Sequence, residues 1–230
     1  MRKLGRDLRA VSVALSWAVV MIITALEAQA EVGGPTEVVF PTSDDGEIHA
    51  LAYGEGTRAV VLAHGKVFDK ESWAPLAPRL AEAGLQVLAI DFRGYGLSRP
   101  GSEGQKLFLD VIAAMSYLKA LGASEISLVG ASMGGGVAAR TAVVVGDGEI
   151  DRLILLAPAA IPKPEEMHAT RILYITAEGD PSVNRTRSQY ELAPEPKSLE
   201  ILPGDAHAQH IFKTEQAEEL VELILGELAE

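Results

Sequence analysis

The sequence predicts a mostly parallel, twisted α/β sheet with helices on both faces, and three observations predict it. Short continuous apolar runs recur along the chain, segments with helical spacing alternate with them, and a stretch with a hairpin turn precedes the first run. Uninterrupted apolar strands are the mark of burial on both faces, as in a parallel sheet covered by helices. Their alternation with helices is that of an open α/β sheet.

From Glu37 to Gly54, strand formers flank the turn Ser43-Asp44-Asp45-Gly46, which predicts an antiparallel hairpin at a sheet edge. The apolar runs then follow at Ala59–Ala63, Gln86–Ile90, Ile126–Val129, Leu153–Ala157, Arg171–Thr176 and Leu199–Leu202. Helical spacing predicts helices over Ser72–Ala83, Gln105–Leu121, Gly135–Val145 and Thr214–Leu228. No internal repeat or low-complexity linker interrupts the pattern. In such sheets ligands bind outside the carboxyl ends of the strands, so the loops after the apolar runs are where chemistry is expected.

Residues 1–30 have a different character. Arg2, Lys3, Arg6 and Arg9 precede the apolar run from Ala10 to Leu26, and Ala28 and Ala30 supply small residues before Glu31. That is the pattern of a secretory signal peptide, and the same stretch left uncut would be a membrane anchor. Either outcome places residues 31–230, read as one domain, outside the cytoplasm, in a periplasmic or secreted location. Membrane association is expected only if residues 1–30 are retained.

The chain of 230 residues carries 32 acidic and 20 basic side chains, a formal charge of −12. Such a surface repels phosphate backbones, so nucleic acid is excluded as a partner and a small molecule is the expected substrate. There is no cysteine. Disulfides, thiolate nucleophiles and zinc–cysteine sites are therefore excluded, and any nucleophile carries oxygen or nitrogen.

The run Ile126–Val129 leads into Gly130-Ala131-Ser132-Met133-Gly134, followed by Gly135 and Gly136. A strand, a sharp turn and a helix place the Ser132 hydroxyl at the sheet's carboxyl edge, and the glycines let strand and helix pack closely. The helix start presents free N–H groups where an oxyanion would form, which makes the amide of Met133 one candidate donor. In a bland reading Ser132 only caps the helix.

A serine hydroxyl needs a base and an orienting acid. His207 follows the run Leu199–Leu202, and Asp180 follows Arg171–Thr176, which gives the chain order serine, acid, histidine. His210 is the rival base, and Asp205 and Glu178 are the rival acids. The loop after Ala59–Ala63 contains His64, Gly65 and Lys66, whose backbone supplies a second oxyanion donor at Lys66, with Val67 behind it. His64 is read as holding this loop by hydrogen bonds. Asp91 and Arg93 are read as fixing the glycine-rich loop after Gln86–Ile90. Trp73 and Tyr95 are placed either in the cleft or in packing, and His168 on the surface.

Four features in order, His64-Gly65, Asp91-x-Arg93-Gly94-x-Gly96-x-Ser98, Gly130-x-Ser132-x-Gly134 and the late Asp180 and His207, resemble the α/β-hydrolase superfamily across roughly Glu37 to Leu228. The resemblance implies the α/β-hydrolase fold, with Ser132 as nucleophile, His207 as general base and Asp180 as orienting acid, in the manner of capless dienelactone-hydrolase-like and esterase-like members. It specifies fold far better than substrate. Many relatives insert a helical cap after the sixth strand of the core. Here only Pro158 to Thr170, with Pro158, Pro162 and Pro164, fills that interval, so an open site without a cap domain is expected.

The implied reaction is hydrolysis of a small or exposed ester through an acyl-enzyme, with neither metal nor organic cofactor required. The triad alone does not choose the leaving group, so an amide, thioester or peroxide substrate stays open at this point, as does a binding protein that keeps the fold without catalysis.

Overall fold

The computed structural model describes residues 34–229; the segment read as a signal peptide lies outside these residues. Eight strands, β1 (Thr36–Pro41), β2 (Glu47–Tyr53), β3 (Arg58–Ala63), β4 (Gln86–Ile90), β5 (Glu125–Ala131), β6 (Arg152–Leu156), β7 (Arg171–Ala177) and β8 (Lys197–Leu202), form one sheet. Their spatial order is β1-β2-β4-β3-β5-β6-β7-β8. β1 and β2 are antiparallel, and β2 is also antiparallel to β4, whereas every pairing from β4 to β8 is parallel.

The apolar runs from β3 to β7 are continuous because these strands bury both of their faces, whereas β1 and β8 at the sheet edges are largely half-buried or exposed. In β3, Val61 and Ala63 point into one core with Leu128 of β5, while Val60 and Leu62 point into the other with Val129. The first core is closed by α2 (Phe108–Ala120), α3 (Met133–Val144) and α4 (Val183–Leu192), and the second by α1 (Ala77–Glu82) and α5 (Ala217–Ala229). Single deletions such as Leu62→Ala at these fully buried positions cost about 2–5 kcal/mol.

One helical expectation is corrected, and one helix, α4, is additional to those expected. The segment Ser72–Ala83 is not one helix: a 3-10 turn at Lys70–Trp73 and α1 are separated at Pro75, and Pro78 opens α1, where its missing N–H has no role. Helix α4 carried no apolar stripe to reveal it. Its buried side chains are Thr186 and Gln189, polar groups that hydrogen-bond to backbone or present an acceptor to Ile161 N at 2.6 Å. Between β6 and β7 stands only a 3-10 turn at Pro164–Glu166, so no cap domain is inserted there.

The glycine-rich loop after β4 is held by the charges of Asp91 and Arg93, each paired with a residue of another segment. Arg93 is fully buried and does not pair with Asp91. Its Nη1 and Nη2 donate to Asp44 at 2.9 and 3.0 Å, and its Nε donates to Asp110 at 2.7 Å. Asp91 instead accepts from Lys70 Nζ at 2.9 Å and from Lys70 N at 2.8 Å. The Arg93 cluster thus ties the β1–β2 turn, the loop after β4 and the first turn of α2 to one another.

The two carboxylates respond differently. Hydrogen bonds from Arg93, aided by Thr42 and the Glu103 amide, hold Asp44 well below the usual carboxylate range. Burial pushes Asp110 up to about 6 against the pull of the same guanidinium. Arg93→Ala would leave two buried carboxylates without a countercharge. We expect it to cost about 3–5 kcal/mol in urea or thermal unfolding, whereas breaking the exposed pair of Lys163 with Glu166 by Lys163→Ala should scarcely move the unfolding midpoint.

Candidate active site

The site is assembled at the carboxyl edge of the sheet by the ends of β3, β5, β7 and β8. At the end of β5 the chain turns into α3 within one residue, and Ser132 takes φ 49° and ψ −111° to do so. A non-glycine residue adopts this left-handed backbone only where its surroundings impose it. The Ser132 amide donates to Leu156 O at 2.9 Å, and its carbonyl accepts from Gly136 at 3.0 Å and Ala159 at 2.7 Å. The serine is therefore pinned through its backbone, and its side chain is free to project.

Space for the turn depends on the flanking glycines. A methyl group on Gly134 would lie 2.1 Å from Ala63 O and 2.6 Å from His64 O, and one on Gly130 would lie 2.5 Å from Gly134 O. All of these are backbone atoms, so no side chain can move aside.

The structure brings Ser132, His207 and Asp180 together. Ser132 Oγ is 2.8 Å from His207 Nε2, and His207 Nδ1 is 2.8 Å from Asp180 Oδ2. Asp180 is almost completely buried, and its other oxygen accepts from Ser182 N at 2.6 Å. With Nδ1–H donating to the carboxylate, Nε2 is left as an acceptor towards the hydroxyl. This arrangement can take a proton from Ser132 and stabilise the imidazolium that results.

The rivals stand apart. His210 is exposed and packs against Phe68, with ring centroids 4.9 Å apart. Asp205 and Glu178 are exposed, and neither hydrogen-bonds to His207. His168 is on the surface beside Asp147.

Lys66 and Met133 both line a pocket with Ser132, and among the described residues neither amide donates to a protein acceptor. Two free N–H groups beside one hydroxyl are what an oxyanion hole requires. The loop that carries Lys66 is held from three sides. His64 is fully buried, its Nδ1 donates to Gly65 O at 2.8 Å, and its Nε2 accepts from Phe92 N at 3.3 Å. One donor and one acceptor are the inventory of a neutral imidazole, and burial pushes the pKa of His64 down in agreement with that form.

The other two braces carried no sequence signal. Gln209 accepts from Gly65 N at 2.7 Å and donates to Ser72 Oγ at 2.8 Å. Tyr95, proposed only as a cleft or packing residue, donates from its hydroxyl to Lys66 O at 3.0 Å and lies 3.6 Å from Met133 Sδ. Trp73 does not reach the cleft; it is buried in the core edge-on to Phe212.

Three comparisons bear on this geometry. A family model described as alpha/beta hydrolase fold matches residues 58–187. Bifunctional epoxide hydrolase 2 of Sus scrofa is 37% identical over 90 residues, which are 38% of this chain and 16% of that protein. The non-heme haloperoxidase of Rhodococcus erythropolis is 31% identical over 124 residues, 54% of this chain and 44% of that protein. The chain thus spans less than half the length of these curated relatives. Among solved structures, the Pyrococcus furiosus esterase Pf2001 has a TM-score of 0.71 at 21% identity, covering 85% of this chain and 91% of that one. The enol-lactonase of Burkholderia xenovorans LB400 has a TM-score of 0.68 at 18% identity, covering 84% and 100%. At these identities the structural likeness speaks for the fold alone.

The turn around Ser132 can be tested without touching a reactive group. Gly134→Ala should destabilise by about 1–3 kcal/mol or more and depress activity, because backbone must shift. Gly226→Ala on α5, where an added methyl meets nothing within 4 Å, should stabilise by about 0.5–1 kcal/mol. Thermal unfolding of the two variants reads the contrast.

Proposed function

The chain belongs to the α/β-hydrolase fold family, and on that premise we propose that it is a serine hydrolase that cleaves carboxylic esters through an acyl-enzyme. The observation that carries this reading is the hydrogen-bonded line from Ser132 Oγ through His207 to Asp180, with both links at 2.8 Å. His207 takes the hydroxyl proton as Ser132 attacks the ester carbonyl. The amides of Met133 and Lys66 receive the developing oxyanion. His207 then returns the proton to the leaving oxygen, and the acyl-enzyme forms. Water, activated by the same imidazole, releases the acid. Asp180 keeps the imidazole in the productive tautomer throughout.

An ester is favoured because no cap is inserted between β6 and β7, so among the described residues nothing grips a long amide backbone over the site. Its two apolar recesses beside Ser132 suit the two halves of a small ester.

Ser132→Ala and His207→Ala should each lower kcat on a reactive ester by at least about 10⁴-fold, and the double variant should be no worse than the worse single, since the pair acts as a unit. A serine-directed phosphonate should label the parent chain and not Ser132→Ala. Full turnover by Ser132→Ala with its fold intact would end the proposal.

A further inference from the structure

Two recesses meet at Ser132, and the proton path tells them apart. On the serine-hydrolase reading proposed above, His207 returns its proton to the leaving oxygen, so that oxygen must lie within hydrogen-bond reach of Nε2. The smaller recess, about 230 Å³, is lined by both Ser132 and His207, with Gly65, Phe68 and Gln209 around them. It is the one that can hold the alcohol. The larger recess, about 660 Å³, is lined by Ser132 and Met133 but not by His207. It is left to the acyl group.

The larger recess has a charge pattern opposite to that of the molecule. Its floor is apolar, built from Leu107, Phe108, Met133, Val137, Ala159 and Pro162. Lys66, Lys106 and Arg140 also line it, and among the described residues no Asp or Glu does. In a chain with 32 acidic and 20 basic residues, three cations and no anion at one recess is a local reversal of sign.

Of the three, Lys106 is occupied by Glu103. Arg140 has no carboxylate partner among the described residues; its guanidinium rests 5.6 Å from the centroid of the Phe108 ring. Arg140 lies on α3 eight residues after Ser132, about two turns or roughly 12 Å along the axis. Side chains on a helix lean towards its N-terminus, which carries the guanidinium back along the recess.

We propose that this recess takes an acyl chain that ends in an anion, with its apolar middle on Phe108 and Val137 and its terminal carboxylate on the guanidinium of Arg140. The substrate class is then the half-ester of a dicarboxylic acid, or an ester with an equivalent distal anion, and the alcohol is small. A planar guanidinium beside an aromatic ring, with no carboxylate already on it, can present two N–H groups to a ligand carboxylate. The excess of positive charge at the recess also draws an anionic substrate to an otherwise repelling surface.

The test uses the full chain, a series of monomethyl esters of straight-chain dicarboxylic acids, and methyl esters of uncharged acids of the same chain lengths. The readout is the ratio of kcat/KM for the charged ester to that for its uncharged counterpart. The expected ratio exceeds about tenfold at the preferred length, shrinks as salt is added, and falls towards one in Arg140→Gln. Binding of the charged ester to Ser132→Ala, followed by titration calorimetry, should weaken by a similar factor when Arg140→Gln is added.

Turnover of the uncharged esters with a ratio at or below one at every length would overturn the anion site while leaving the hydrolase reading standing. Absence of turnover on every ester would sink the hydrolase reading. The calorimetry would then decide the anion site: binding that Arg140→Gln abolishes supports it, and no binding, or binding indifferent to that change, overturns it.

Discussion

The constraint on which the site depends is the contact of backbone with backbone where α3 follows β5. Gly134 leaves no room for even a methyl group against Ala63 and His64, and that approach places the first turn of α3 beside the end of β3. Everything at the site is measured from it. The forced backbone of Ser132 lifts the hydroxyl to the sheet edge, Met133 lines the same recess, and the loop bearing Lys66 is the continuation of the strand that Gly134 touches. A larger residue at position 134 would separate the two amides as it pushed the helix away.

Around that contact the polar groups are arranged as supports rather than as reagents. His64, Gln209 and Tyr95 each hold the short loop after β3 by a different atom, so the loop is fixed without a disulfide or a metal. Farther back, Arg93 binds Asp44 and Asp110 in a buried group that joins the edge hairpin to the start of α2. The same first turn of α2 carries Phe108, which floors the larger recess, so a charge cluster in the interior sets the position of an apolar wall at the surface.

Much of this was legible in the sequence because it rests on local signals. Apolar runs gave the parallel strands, since burial on both faces leaves few polar positions in the central ones, and the spacing of glycines about Ser132 announced the turn. Asp180 and His207 could be chosen because each follows a strand in the order the turn demands. Helix α4 was hidden because its buried face is made of Thr186 and Gln189 rather than apolar residues. The partners of Arg93 were hidden because Asp44 lies 49 residues away and nothing in local spacing refers to it. Gln209 and Tyr95 were beyond reach for the same reason: a brace is a relation between distant segments. Arg140 had the slightest of signals, a cation two helical turns beyond the serine.

The segment Pro158–Thr170 stands where many relatives carry a cap, and it is tied down. Ala159 N donates to Ser132 O, Ile161 N to Gln189, His168 N to Ala142 O, and Pro158 O accepts from Arg185. It is a wall and not a lid. On the proposed reading, an acyl-enzyme formed at Ser132 would keep its acyl chain in the larger recess, while the smaller recess would open to solvent once the alcohol left. Water would enter there ahead of a second alcohol, so hydrolysis rather than acyl transfer is the outcome that goes with the proposed reading.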